Sequence, residues 1–74
     1  MSKPDGLIVT TENKYHFAGN YKGCEIQLDR EPAEDWYILV WGKDGVLAYD
    51  GWWAHSSNAN VDEALKEAFE GAQL

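Results

Sequence analysis

The sequence is poor in the residues that build cross-links, metal sites and cofactor pockets. It contains one cysteine, Cys24, two histidines and one methionine. A single thiol excludes an internal disulfide, and two histidines in unrelated segments give no zinc-ligand pattern. The glycines at positions 42, 45 and 51 lack the spacing of a phosphate-binding loop. We therefore expect no cofactor, no bound metal and no nucleotide.

Long apolar segments are also missing. The longest run is the six residues 36–41, too short for a membrane span or for the core of a secretory signal. Together with the lone cysteine, this predicts a cytoplasmic protein that does not enter a membrane. The 74 residues form one domain, and a hydrophobic content of 45% is too high for a disordered chain. We expect flexibility only in residues 1–5.

Positive charge is scarce. The sequence has six lysines and arginines and thirteen aspartates and glutamates, which gives a net charge of −7. Residues 1–24 carry +1 and residues 25–74 carry −8, so the acidity belongs to the later part of the fold. Such a field repels phosphate backbones, which argues against direct nucleic-acid binding and favours a protein partner with a basic surface. Acidity also serves solubility in a small protein.

The first half of the chain contains several strand signals. Residues 7–11 and 15–17 both favour strand, and either would serve as the first one. Gly19-Asn20 is predicted to form a turn. In residues 24–29, apolar and polar side chains alternate, which predicts a half-buried strand. Residues 29–35, with Pro32 and several acids, predict an exposed acidic loop.

An aromatic hairpin follows. Residues 36–53 contain all four tryptophans and two of the four tyrosines. Residues 36–41 are apolar at every position, which favours a central strand whose two faces are either covered or available for binding. The turn at residues 42–45 allows a two-residue Asp-Gly loop or a three-residue Lys-Asp-Gly loop. The two registers differ by one residue. One register therefore places Leu47, Tyr49 and Trp53 of the second strand on the same side as one face of the first strand, and the other register places them with its opposite face.

The second strand of the hairpin has one face that is less apolar in both registers. That face carries Val46, Ala48, Asp50 and Trp52, so Trp52 is the best candidate for an exposed aromatic residue. We assign Leu47, Tyr49 and Trp53 to the core. Because Asp50-Gly51 is itself a turn signal, the strand alternatively ends near Tyr49.

The last segment has the features of an amphipathic helix. Asn60 and Glu63 have the spacing of a capping box, which predicts that the helix begins at Val61. An apolar stripe at helical spacing comprises Val61, Ala64, Leu65, Ala68, Phe69 and Ala72. The fold is therefore predicted to be α+β, with an antiparallel β-meander of three to four strands and one C-terminal α-helix packed on one face.

No residue pattern indicates catalysis. We interpret Cys24 as a small buried hydrophobic residue and His16 and His55 as solvated surface residues. Carboxylates are plentiful, but no spacing points to a catalytic pair in a cleft. The chain is therefore not expected to be an enzyme.

Acidic and aromatic residues instead predict a binding surface. The candidate residues could form one continuous negative surface beside an exposed tryptophan; they are Trp52, Asp50, Glu31, Glu34, Asp35, Asp62, Glu63, Glu67 and Glu70. Spaced acids beside exposed aromatics can imitate a nucleic-acid backbone and occupy a basic groove on another protein.

The combination of acidity, small size and surplus tryptophan resembles small proteins encoded by bacteriophages and mobile elements, including the anti-CRISPR inhibitors. Those inhibitors share no motif, so the resemblance assigns no role to any residue. It implies a non-enzymatic protein that binds a host effector complex in the host cytoplasm and blocks its nucleic-acid site or assembly. The alternative is a module that uses aromatics around Trp52 to bind a flat ligand or a second copy of itself, so the chain is expected to be a monomer or a homodimer.

Overall fold

Short turns divide the strand-forming segments into a regular meander. The computed structural model describes residues 3–74, and within this range five strands precede one helix. The elements are β1 (Leu7–Glu12), β2 (His16–Tyr21), β3 (Cys24–Asp29), β4 (Trp36–Trp41), β5 (Leu47–Trp53) and α1 (Val61–Gly71). Each strand pairs antiparallel with the next, in the order β1-β2-β3-β4-β5. The α+β meander with a C-terminal helix is confirmed, but the prediction of three to four strands was too low.

The additional strand arises at the start of the sheet, where both candidate first strands form. They are joined by a tight turn in which the backbone N–H of Asn13 donates to the carbonyl of His16 at 2.8 Å. The Asn13 side chain also accepts the backbone N–H of Tyr15 at 2.9 Å. This local hydrogen bonding lets the two segments pair as a hairpin.

The N-terminal segment is connected to the rest of the domain at Lys3. Its ammonium lies 3.1 Å from a carboxylate oxygen of Glu12 and 3.4 Å from one of Asp62. The segment predicted to be flexible is residues 1–5, and for residues 1 and 2 this prediction lies outside the described residues.

The turn between β2 and β3 differs from the prediction. Gly19-Asn20 lies within β2, and the turn is formed by Lys22 and Gly23, which have φ angles of 51° and 89°. Two successive positive φ angles are typical of a two-residue hairpin turn. Gly19 meets a packing requirement, because a Cβ atom there would lie 2.7 Å from the carbonyl oxygen of Ile8 on β1.

Both predicted registers of the β4–β5 hairpin occur, one at each end. Beside the turn, Gly45 has a φ of 84° and its N–H donates to the carbonyl of Gly42, which forms the three-residue loop, and Trp41 lies opposite Leu47. A bulge at Ala48 then shifts the pairing by one residue. From that point to the Trp36–Trp53 pair, the strands follow the register of the two-residue loop.

This bulge decides which side chains of β5 reach the core. Tyr49 and Trp53 pack against the core as predicted, and β5 continues to Trp53 rather than ending at Tyr49. The prediction for Leu47 is wrong, because this side chain lies on the turn side of the bulge and is 44% exposed.

Helix α1 covers one face of the sheet. Its capping box is formed as predicted, since Asn60 accepts the N–H of Glu63 and Glu63 accepts the N–H of Asn60. The buried core joins this helix to strands β2, β3 and β4 and comprises Phe17, Ile26, Leu28, Trp36, Ile38, Val40, Ala64, Leu65 and Ala68. Cys24 lies at one end of the same face and is half-buried rather than buried.

The other face of the sheet has no helix over it within residues 3–74. Strand β4 lies inside the sheet, as predicted, and its side chains alternate between the two faces. Its outer face carries Tyr37, Leu39 and Trp41, which are all half-buried. We call this side of the sheet the open face.

Candidate functional site

Trp52 is the most exposed large aromatic side chain on the open face. It lies on β5 directly opposite Tyr37 of β4, and the alternation of β5 turns it away from the helix. Its side chain is 64% exposed. The prediction that Trp52 lies on the outer face of the hairpin is confirmed.

Tyr37 supports the position of Trp52. The two rings form an edge-to-face pair with centroids 4.9 Å apart and an interplanar angle of 63°. The Tyr37 hydroxyl donates to the carboxylate of Asp50 at 2.6 Å, and this hydrogen bond raises the pKa of Tyr37. Asp50 therefore has an intramolecular role in orienting the aromatic pair.

The Trp52 side chain separates two clefts at one end of the open face. The larger, of about 350 Å³, is lined by Ala33, Glu34, Asp35, Trp52 and Ser57. The smaller, of about 210 Å³, is lined by Asp29, Arg30, Glu31, Tyr37 and Trp52. We call them the loop cleft and the strand cleft. Two carboxylates line each cleft, and among the lining residues only Arg30 carries a positive charge.

Arg30 is half-buried, and its guanidinium is held by backbone carbonyls and aromatic rings. One guanidinium nitrogen donates to two backbone carbonyls, of Glu34 and Ser57. The guanidinium carbon also lies 5.3 Å from the ring centroid of Tyr15 and 5.7 Å from that of Trp36, within the range of cation–π attraction. Arg30 thereby joins the acidic loop to the segment that follows β5.

Ser56 provides a second connection between these segments. Its hydroxyl accepts the backbone N–H of Trp36 at 2.8 Å and donates to the carbonyl of Trp53, so it bridges the last pair of the β4–β5 ladder. Its backbone N–H donates to the Asp35 carboxylate at 2.9 Å. Ser56 is almost fully buried, and it connects Asp35, which lines the loop cleft, to the end of the β4–β5 ladder.

The acids of helix α1 lie on the other side of the molecule. Asp62 pairs with Lys3, Glu63 completes the capping box, and Glu67 accepts the hydroxyl of Tyr49 at 2.8 Å. Burial and this contact with Glu67 raise the pKa of Tyr49 to about 12. Glu63, Glu67 and Glu70 line a cleft of about 270 Å³ together with Trp53 and Lys66.

The nine predicted binding residues therefore fall into two groups. The structure brings Glu31, Glu34 and Asp35 to Trp52, with Asp50 beside them on the open face. It places Asp62, Glu63, Glu67 and Glu70 on the helix, which packs against the opposite face. The two groups are separated by the thickness of the sheet.

Sequence reasoning missed Arg30 and Ser56 as parts of this site. Arg30 is the one arginine in the sequence and stands at the start of the acidic loop, which was an available signal. Nothing in the local pattern distinguishes Ser56 from the neighbouring Ser57, since the difference arises from the tertiary fold.

The histidines and the cysteine form no recognisable reactive centre. His16 contacts Asp29 across the β2–β3 pair on the open face, and both side chains are partly exposed. His55 is exposed in the loop before the helix. In the described range 3–74, no group of three or more histidine, cysteine or acidic side chains has a metal-binding arrangement.

Comparison with known proteins leaves the site to be interpreted from its own geometry. No protein-family model, curated protein or solved structure matches the chain. None of the helical structure described for residues 3–74 is long and apolar enough to cross a membrane.

Proposed function

We propose that this protein is a small acidic inhibitor that binds a basic surface of another protein through Trp52 and the carboxylates around it. The observation that carries the proposal is the position of Trp52, largely exposed and set between two carboxylate-lined clefts. Exposed aromatic residues rimmed by polar groups mark interaction surfaces. The proposed role is non-enzymatic and requires no cofactor.

The charge around Trp52 specifies the kind of partner. Four carboxylates line the two clefts, and Asp50 adds a fifth nearby. The guanidinium of Arg30 donates to backbone carbonyls rather than to a carboxylate, and its single positive charge leaves these five carboxylates in excess by four. A basic protein surface complements this arrangement and would be attracted from a distance by the net charge of −7.

Inhibition is proposed because basic grooves on proteins commonly hold nucleic-acid backbones. An acidic protein that occupies such a groove excludes the nucleic acid without binding it. This is the mode implied by the resemblance to anti-CRISPR inhibitors, and it places the protein in the cytoplasm of a phage host, bound to an effector complex. The chain would act as a monomer or homodimer and would not require a membrane.

The test is displacement of nucleic acid from a partner captured from lysate of the source cells. The partner is identified and purified, and its nucleic-acid binding is measured by fluorescence anisotropy while the wild-type protein is added. We expect full displacement by the wild type and displacement weaker by about tenfold with Trp52→Ala, in the range of an interface anchor. Val46→Ala, which trims an apolar residue as exposed as Trp52 without changing the charge, serves as the matched control and should displace as the wild type does.

Two results would contradict this function. The first is a partner that keeps its nucleic acid at saturating concentrations of the wild type. The second is equal displacement by the wild type and Trp52→Ala, which would move the binding surface away from the open face. Sedimentation at increasing concentration separately determines whether the active form is a monomer or a homodimer.

A further inference from the structure

We infer that the loop cleft receives a cationic side chain of the partner, an arginine or a lysine, against the face of Trp52. This inference rests on the proposed function and adds the chemical group that the site recognises. The loop cleft is lined by one aromatic side chain, Trp52, together with Ser57 and the loop residues Ala33, Glu34 and Asp35. A cation beside an indole ring and carboxylates gains both cation–π and ionic attraction.

Within the described part of the chain, the carboxylates of this cleft are not themselves bonded to a cation, because the nearby Arg30 guanidinium donates to the backbone carbonyls of Glu34 and Ser57 instead. Among residues 3–74, neither Glu34 nor Asp35 takes part in an ion pair, and no basic side chain lines the loop cleft. The strand cleft on the other side of Trp52 differs in both respects. Arg30 lines it, and its Asp29 is already in contact with His16. The loop cleft is therefore the better site for an added cation.

The walls of the loop cleft are held in place before any partner arrives. Arg30 ties the carbonyl of Glu34 to that of Ser57, and both of these residues line the cleft. Asp35 accepts the backbone N–H of Ser56 at 2.9 Å through one carboxylate oxygen. Binding at a preorganised site loses less conformational entropy, so a partly exposed ion pair contributes more to affinity here than on a mobile loop.

Arginine fits this cleft better than lysine does. Its planar guanidinium can lie on the indole of Trp52 while its N–H edge donates to a carboxylate, whereas an ammonium offers only a point charge. The volume of about 350 Å³ is sufficient for one such side chain. Because Glu34 is exposed, its carboxylate is accessible to a partner.

A small-molecule titration tests the inference without the partner. The ¹⁵N-labelled protein is titrated with N-acetyl-arginine methylamide and, separately, with its neutral citrulline analogue, while amide and indole N–H signals are recorded by NMR. We expect saturable shifts of the Trp52 indole and the Ser57 amide with arginine, and at least roughly fivefold weaker binding of citrulline. The indole of Trp36, which donates to the carbonyl of Ala59 at 2.9 Å, should not shift and reports that the fold is intact.

Matched variants separate the cleft from general acidity. Glu34→Gln should weaken arginine binding roughly three- to fivefold, as expected for a partly exposed charge pair. Glu70→Gln removes the same charge from the helix and should leave the affinity unchanged. Equal affinities for arginine and citrulline, or an unaffected Glu34→Gln variant, would overturn the inference.

Failure of this inference is distinguishable from failure of the proposed function. If arginine binding is not charge-dependent but nucleic-acid displacement still requires Trp52, the inhibitor function stands and the cation site is wrong. If arginine binds as expected but the wild type displaces no nucleic acid, the cation site stands and the inhibitor function is wrong.

Discussion

Replacement of Ser56 by alanine should destabilise the whole domain through loss of one buried hydroxyl. The hydroxyl accepts the N–H of Trp36 and donates to the carbonyl of Trp53, so it links the first residue of β4 to the last residue of β5. The side chain is only 2% exposed. Ser56→Ala leaves a buried N–H donor and a carbonyl without their partner at the point where β4 and β5 begin to separate.

The expected cost follows from those two groups. An unsatisfied buried N–H costs about 1–3 kcal/mol, and an under-satisfied carbonyl costs less. We therefore expect a loss of about 2–3 kcal/mol in the free energy of unfolding. A domain of 74 residues has about 4–11 kcal/mol in total, so this single hydroxyl contributes a substantial fraction.

Urea denaturation followed by tryptophan fluorescence measures this loss. With a slope of about 1 kcal/mol per molar urea, the midpoint should fall by about 2–3 M. Ser57→Ala is the matched control, because Ser57 accepts the guanidinium of Arg30 through its backbone carbonyl and should lose less than about 0.5 kcal/mol. Equal stability of the two variants would refute the assignment of Ser56 as the hydrogen-bonding bridge.

Three further predictions concern the helix. Gly71→Ala should lower the unfolding free energy by about 1–2 kcal/mol despite the better helix propensity of alanine, because the added Cβ would lie 2.2 Å from the Tyr49 ring. In a Tyr49→Ala background, urea denaturation should show no such loss. The Tyr49 pKa of about 12 exceeds the ordinary 10.0, so the stabilising contribution of the protonated Tyr49 should be complete below about pH 10 and lost as pH rises through 12. Phenolate absorbance should show that Glu67→Gln moves this pKa toward the ordinary value. Asn60→Ala removes the acceptor of a helix N–H and should cost about 1 kcal/mol by urea denaturation, whereas Asn60→Asp retains an acceptor and should cost a few tenths. Each contact would be contradicted by one result: an unchanged unfolding free energy in Gly71→Ala, an unchanged Tyr49 pKa in Glu67→Gln, or equal stability losses in Asn60→Ala and Asn60→Asp.

Sequence patterns predicted the elements whose stability is local. Helix α1 has its capping residues and its apolar stripe within residues 60–72, so its start at Val61 and its buried face were both available from spacing. The alternation in β3 similarly predicted which of its side chains are buried, whereas the continuous apolar run in β4 predicted a strand inside the sheet but not which of its faces lies against the core. Exposure of Trp52 was predictable because both candidate registers placed it on the same face.

The errors occurred where distant residues decide the local structure. Gly19-Asn20 is a good turn dipeptide, yet Gly19 is needed in β2 because the backbone of β1 passes too close for a side chain. The bulge at Ala48 was not readable from the hairpin sequence either. It reconciles a three-residue loop with burial of Tyr49 and Trp53, and Leu47 is left outside the core as a result.

The distribution of hydrogen bonds also separates the acids into those that maintain the fold and those that remain available to a partner. Asp35, Asp50, Glu63 and Glu67 each accept an intramolecular hydrogen bond through the side chain, and Asp62 pairs with Lys3. Neutralising them would alter stability as well as surface charge, so a loss of binding in such variants would be ambiguous. Glu34 contributes a backbone carbonyl to the structure while its charge lies in the loop cleft. A change in binding on Glu34→Gln, with unchanged stability, therefore reports on recognition rather than on folding.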